Sequence, residues 1–169
     1  NVVPYRTAEL FAAKLTAEAF VLPENKNAVV KVIRGVMNAQ APISHGMLTR
    51  KVVQVFGITR AGARIHEYLD LLYRELGYTV TSYGGTQFFW NEGQSPAEYN
   101  LVRASAEGDC KREVADVPVE EAVNAVCLVL ERQISLGEDD LIREGAKLLG
   151  YTRSGGNVTT LMADAIEYA

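Results

Sequence analysis

Cysteine and histidine are scarce in this chain of 169 residues, with two of each. Cys110 and Cys127 are too few for a disulfide framework and form no C-x-x-C pair, so both are expected to be small buried or incidental thiols. His45 and His66 lie far apart in sequence with no cysteine neighbour, and no metal site is expected. No apolar run approaches the ~18 residues needed to span a bilayer, and no signal peptide opens the chain. These absences lead to the expectation of a cytoplasmic protein with no membrane contact, metal or cofactor.

Catalytic signatures are missing too. There is no G-x-x-x-x-G-K phosphate loop, no G-x-S-x-G and no H-E-x-x-H. The carboxylate pairs Glu120-Glu121 and Asp139-Asp140 invite a metal-dependent nuclease reading. However, the first pair follows Pro118 and the second opens a helix, where negative charge complements the macrodipole. No catalytic residue is expected. The chain begins at Asn1 rather than Met and stops at Ala169 inside an apolar-periodic run, so an excised piece of a longer polypeptide is expected.

The chain does contain a repeat. An offset of 93 residues aligns Leu48 with Leu141, Arg50 with Arg143, Gly57 with Gly150, Thr59 with Thr152, Arg60 with Arg153 and Gly62 with Gly155. The segment G-I-T-R-A-G-A-R-I thus recurs as G-Y-T-R-S-G-G-N-V. In the first copy the apolar spacing predicts helices over residues 27–39, 48–56 and 60–76. Pro42 ends the first, Gly57 stops the second by taking a positive φ, and Thr59 is the expected N-cap of the third. Residues 78–83 and 86–90 read as two strands joined by Gly84-Gly85. In the second copy, residues 119–132, 139–149 and 154–168 are the expected helices. A further helix is expected over 8–20, and a short one near 97–106.

The expected fold is therefore mainly α (α+β): tandem winged-helix or helix-turn-helix units, the first with a β-hairpin wing, the second truncated before any wing. The first unit, with its N-terminal helix, takes residues 1–91, an acidic linker 92–117, and the second unit 118–169. Net charge is −4 but unevenly spread: residues 26–91 carry +5 and residues 92–169 carry −8. Only the local field attracts phosphates, so the basic first copy is the candidate for nucleic acid.

The run from P-V-E-E-A-V-N-A-V through L-I-R-E-G-A-K-L-L-G-Y-T-R-S-G-G-N-V resembles a domain of unknown function near the C-terminus of large bacterial DNA-helicase-related proteins. The resemblance covers about residues 116–168, with a looser match over 27–90. It implies a setting in DNA metabolism, with the motor elsewhere in the polypeptide, and brings no catalytic residues.

The leading expectation is a non-catalytic DNA-binding accessory module. Arg60 and Arg64, expected one turn apart on the third helix, would meet bases or phosphates. Arg50, Lys51 and Thr59 would contact the backbone, Arg74 shares the outward side, and the hairpin tip would approach the minor groove. In the second copy Arg153 and Asn157 hold the corresponding places among acidic neighbours, which favours a protein partner there. Solvated surface arginines are an equally weighted reading of Arg60 and Arg64. Phe88, Phe89 and Trp90 could stack on unpaired bases, although closing a strand onto the core is the commoner use. The alternative function is a protein–protein module that docks on the motor domain or mediates self-association. A fragment of an enzyme with its catalytic residues elsewhere is the weaker third.

Overall fold

The computed structural model describes residues 1–153 and 155–169, with Asp109 described by its backbone alone. It is a mixed α/β structure. In chain order its elements are β1 (Val2–Pro4), α1 (Ala17–Phe20), α2 (Lys26–Gln40), β2 (Ile43–Ser44), α3 (His45–Val55), α4 (Ala63–Leu76), β3 (Thr79–Tyr83), β4 (Thr86–Trp90), β5 (Val102–Ala104), α5 (Val119–Arg132), α6 (Glu138–Leu148) and α7 (Gly156–Tyr168). The chain divides into two compact units. The first is Thr7–Gly93; the second joins Asn1–Arg6 to Gln94–Ala169.

In the first unit the helices form where the apolar spacing places them. α2 buries Val29, Val32, Ile33, Val36 and Met37, α3 buries Leu48, Val52 and Val53, and α4 buries Ile65, Leu69 and Leu72. These stripes share one core with Phe20, Phe56 and Phe89. Each such side chain contributes ~1.5–3 kcal/mol by leaving water. α3 ends in a Schellman motif: the Ile58 N–H donates to Val53 O at 3.0 Å and the Gly57 N–H to Gln54 O at 2.9 Å, with Gly57 at φ 80°. The hairpin pairs Tyr83 with Thr86 across Gly84 and Gly85, both at positive φ as a two-residue turn of this kind requires. Sequence periodicity missed β2, which is only two residues long. It pairs antiparallel with β4 and completes a sheet of order β2-β4-β3.

Two expectations for this unit need correction. Thr59 is not the N-cap of the third helix. The Schellman turn leads into a bent segment, Gly62 is the N-cap with extended backbone, and α4 begins at Ala63. Nor do residues 8–20 form one helix, since only Ala17–Phe20 is helical. The Ala8 N–H is taken by the Gln40 side chain at 2.9 Å and the Leu15 N–H by Phe56 O at 3.0 Å, so tertiary partners take backbone groups that a helix would have used.

In the second unit β1 and β5 run parallel, with Val2, Val3 and Pro4 opposite Val102, Arg103 and Ala104. α5, α6 and α7 bury Ala122, Ala125, Val126, Leu141, Ala146, Leu161, Met162 and Ala165. α6 sits at the 93-residue offset from α3 and ends in the same way. The Tyr151 N–H donates to Ala146 O at 2.9 Å and the Gly150 N–H to Lys147 O at 3.0 Å. The likeness reaches beyond the matched letters. In each unit an incoming non-helical segment donates an N–H to the residue before the turn glycine, Leu15 to Phe56 O and Ser105 to Leu149 O. α7 begins at Gly156 behind the N-cap Gly155; Ser154, where this helix was expected to start, lies outside the described residues. Of the short helix expected near 97–106 only a single 3-10 turn forms, at Pro96–Glu98, and the rest of the span contains the strand β5.

Candidate nucleic-acid interface

Charge in the first unit is divided by helix. α2 and α3 carry Lys26, Lys31, Arg34, Arg50 and Lys51 and no carboxylate, whereas α4 carries Arg64 and Arg74 against Glu67, Asp70 and Glu75. The positive field thus originates from α2, α3 and the α3–α4 connection, and not from the third helix.

Arg50 is exposed and Lys51 half-buried on α3. Thr59 and Arg60 are exposed in the connection, so Arg60 is not helical and does not stack one turn below Arg64 as expected. Arg64 is exposed in the first turn of α4 and Arg74 in its last. With Ile65, Leu69, Leu72 and Tyr73 facing the core, the outward strip of α4 reads Arg64, Glu67, Leu71, Arg74. Leu71 is 48% exposed in the middle of that strip. Among the described residues no ion pair holds Arg60, Arg64 or Arg74, while Lys26 is tied to Glu75 at 3.1 Å. Arg153 and Asn157 are exposed in the second unit, in the matching connection and on α7.

Beside this strip a cleft of about 480 Å³ opens between the start of α3, α4 and the hairpin, with Arg74, Tyr78 and Gln87 in its lining. There His45 Nε2 and Asp70 Oδ1 are 2.6 Å apart. The His45 ring lies 5.9 Å from both Tyr73 and Phe89. Burial pushes the Tyr73 phenol well above its usual range, despite a 3.0 Å hydrogen bond with Thr49. Phe88, Phe89 and Trp90 are all buried, so they close the sheet and offer no ring to a base.

The second unit holds a charged cluster that sequence reasoning missed. Glu121 lies in the first turn of α5, after Pro118, and is wholly buried. It accepts from Arg103 Nη2, Arg112 Nη1 and Arg112 Nη2 at 2.9 Å each, and from the Arg103 backbone N–H at 2.6 Å. The Arg112 guanidinium lies 4.4 Å from the centre of the Tyr5 ring. Burial alone would raise Glu121. The attraction of Arg103 and the hydrogen bonds from both arginines outweigh it, and its carboxyl stays below the ordinary glutamate value. Among the described residues no group of three or more His, Cys, Asp or Glu side chains is placed to hold a metal, and no helix is long and apolar enough to cross a membrane.

A family model described as "Protein of unknown function (DUF3320)" matches residues 18–67, from α1 into the first turns of α4. The match falls on the first copy of the repeat, not on residues 116–168 where the sequence resemblance was strongest. No curated protein and no solved structure matches the chain.

Proposed function

We propose that the first unit is a winged helix that binds the DNA backbone, serving as a non-catalytic accessory module of a larger, helicase-related cytoplasmic protein. One observation carries this reading. The order α2-β2-α3-α4-β3-β4, with sheet order β2-β4-β3, comes with Arg60 in the α3–α4 connection and Arg64 in the first turn of α4, neither with a carboxylate partner among the described residues. In such units the α3–α4 pair meets the duplex and the hairpin lies beside it. Glu67 and Leu71 on the outward strip of α4 disfavour deep base reading. The contact is therefore electrostatic, made by Arg60, Arg64, Arg50 and Lys51 to phosphates. Arg153 and Asn157 in the acidic second unit contribute little, and that unit docks on a protein.

Binding of a labelled duplex should weaken steeply with added salt. Replacing Arg60 and Arg64 together by Ala should flatten the log–log salt slope by about 1.8, at ~0.9 per lost phosphate contact. Binding that ignores salt, or a double variant with an unchanged slope, refutes the reading. A second reading is favoured by Leu71, an exposed apolar residue flanked by charges of both signs, which suits a protein–protein contact with the parent polypeptide or another copy. Association that is insensitive to salt but abolished by Leu71→Glu would select it.

A further inference from the structure

We propose that the groove between residues 7–16 and α2 is a binding site for single-stranded nucleic acid, with a base stacked on Phe11 and the backbone running along Lys31 and Arg34. This deepens the reading of the first unit as a nucleic-acid binder by naming the strand state that a second face of the unit selects.

Phe11 is 98% exposed, although its segment is firmly held. On one side Ala8 is buried with its N–H on Gln40, and Leu10 lies over Gly35 so closely that a Cβ there would come within 2.8 Å of Leu10 Cδ1. On the other side the Leu15 N–H is bound to Phe56 O at 3.0 Å. Anchored at both flanks, the backbone of the segment holds Phe11 at the slot's edge with its phenyl ring in solvent. Next to the ring is an apolar slot of about 280 Å³, lined by Leu10, Leu15, Val32 and Phe56 with Lys31 among them. The slot continues into a groove of about 580 Å³ lined by Asn27, Val30, Lys31, Arg34, Gly35 and Asn38; Leu10 and Lys31 belong to both.

The cationic edge of this groove follows from the pattern of α2. Its buried positions 29, 32, 33, 36, 37 and 40 turn Asn27, Lys31, Arg34 and Asn38 outward in one row. That row has two cations, two amides and no carboxylate, and among the described residues neither Lys31 nor Arg34 has an ion-pair partner. Gly35 leaves the wall low where Leu10 crosses. Glu9 is the one carboxylate on the facing segment, residues 7–16, and Lys14 on the same segment balances it. An exposed aromatic ring beside a cationic track is the arrangement by which proteins hold unpaired strands, since every base offers a π face and phosphates follow the cations. A duplex keeps its base faces stacked internally and cannot use the ring. An acidic peptide would use the cations but has no need of a planar platform.

The test uses the whole chain, with a labelled oligothymidylate and a labelled duplex followed by fluorescence anisotropy. Phe11→Ala should weaken oligothymidylate binding at least about fivefold, the low end of one lost base stack, and leave duplex binding unchanged. Phe11→Trp should preserve the affinity. Lys31→Ala with Arg34→Ala should flatten the salt slope for the single strand only. The proposal is overturned if Phe11→Ala leaves oligothymidylate binding intact, if it weakens both probes equally, or if polyglutamate displaces the single strand as well as unlabelled oligothymidylate does. Duplex binding that depends on Arg60 and Arg64, with no single-strand binding, removes this site and spares the wider reading. Binding of neither probe removes both.

Discussion

Glu121 faces two guanidiniums with almost no water to share the load, whereas Lys26 and Glu75 meet with both side chains 47% exposed. The two arrangements differ in energy by more than their distances suggest. The exposed pair contributes ~0–1 kcal/mol. Removing one member of the buried cluster strands the other charges, so Glu121→Gln should destabilise the second unit by ~3–5 kcal/mol, seen as a lower urea midpoint. Its pH dependence has a definite sign. Because the folded carboxyl lies below the ordinary value of 4.5, its contribution is complete above that value and disappears as the pH falls through the folded one. The wild-type chain should therefore lose stability on acidification below about pH 4.5, and the Gln variant should show a shallower loss over that window. None of this was legible beforehand. Arg103 and Arg112 lie in a polar stretch interrupted by Gly108 and Pro118, which has the composition of a linker, and periodicity gives no hint that both arginines will pair with Glu121 out of water.

At the scale of elements, the two turn glycines provide a controlled comparison. Gly57 has φ 80° and only the side chain of Lys14 nearby, at 3.2 Å from an added Cβ. Gly150 has φ 93° and lies against the backbone of Ser105, which cannot swing away. Gly57→Ala should cost about 1–2 kcal/mol from the left-handed conformation alone, and Gly150→Ala clearly more, measured as separate shifts in chemical unfolding. The helices, the hairpin and these glycines were legible because an apolar stripe, a positive φ and a two-residue turn each leave a local mark. The course of residues 8–16 was not. Its alanines, leucines and lysine favour a helix by propensity, and the partners that keep it from one, Gln40 and Phe56, come from distant positions. Thr59 failed as a cap for a related reason: the Schellman turn consumes the next residues before Gly62 can start α4.

On the scale of the whole molecule, the first unit carries a net +2 and the second a net −6. At about 0.01 M salt the Debye length is about 30 Å, more than the radius of a chain of this length, so the acidic unit repels a polyanion held elsewhere on the molecule whatever the arrangement of the units. Neutralising Glu138 and Asp139, both exposed at the start of α6, to Gln and Asn should raise duplex affinity by roughly two- to fivefold at low ionic strength. The gain should fade as salt is added. The sequence disclosed this partition of charge but not the discontinuity of the second unit, because a three-residue strand pairing across a hundred positions has no local signature.

That discontinuity has a mechanical consequence. Strand β1 and helix α7 belong to the same unit, and the whole of Thr7–Gly93 is spliced between them as a guest. Tension applied between Val3 and α7 runs through the host alone, so the guest feels no pull until the three residue pairs of β1 and β5 have sheared apart.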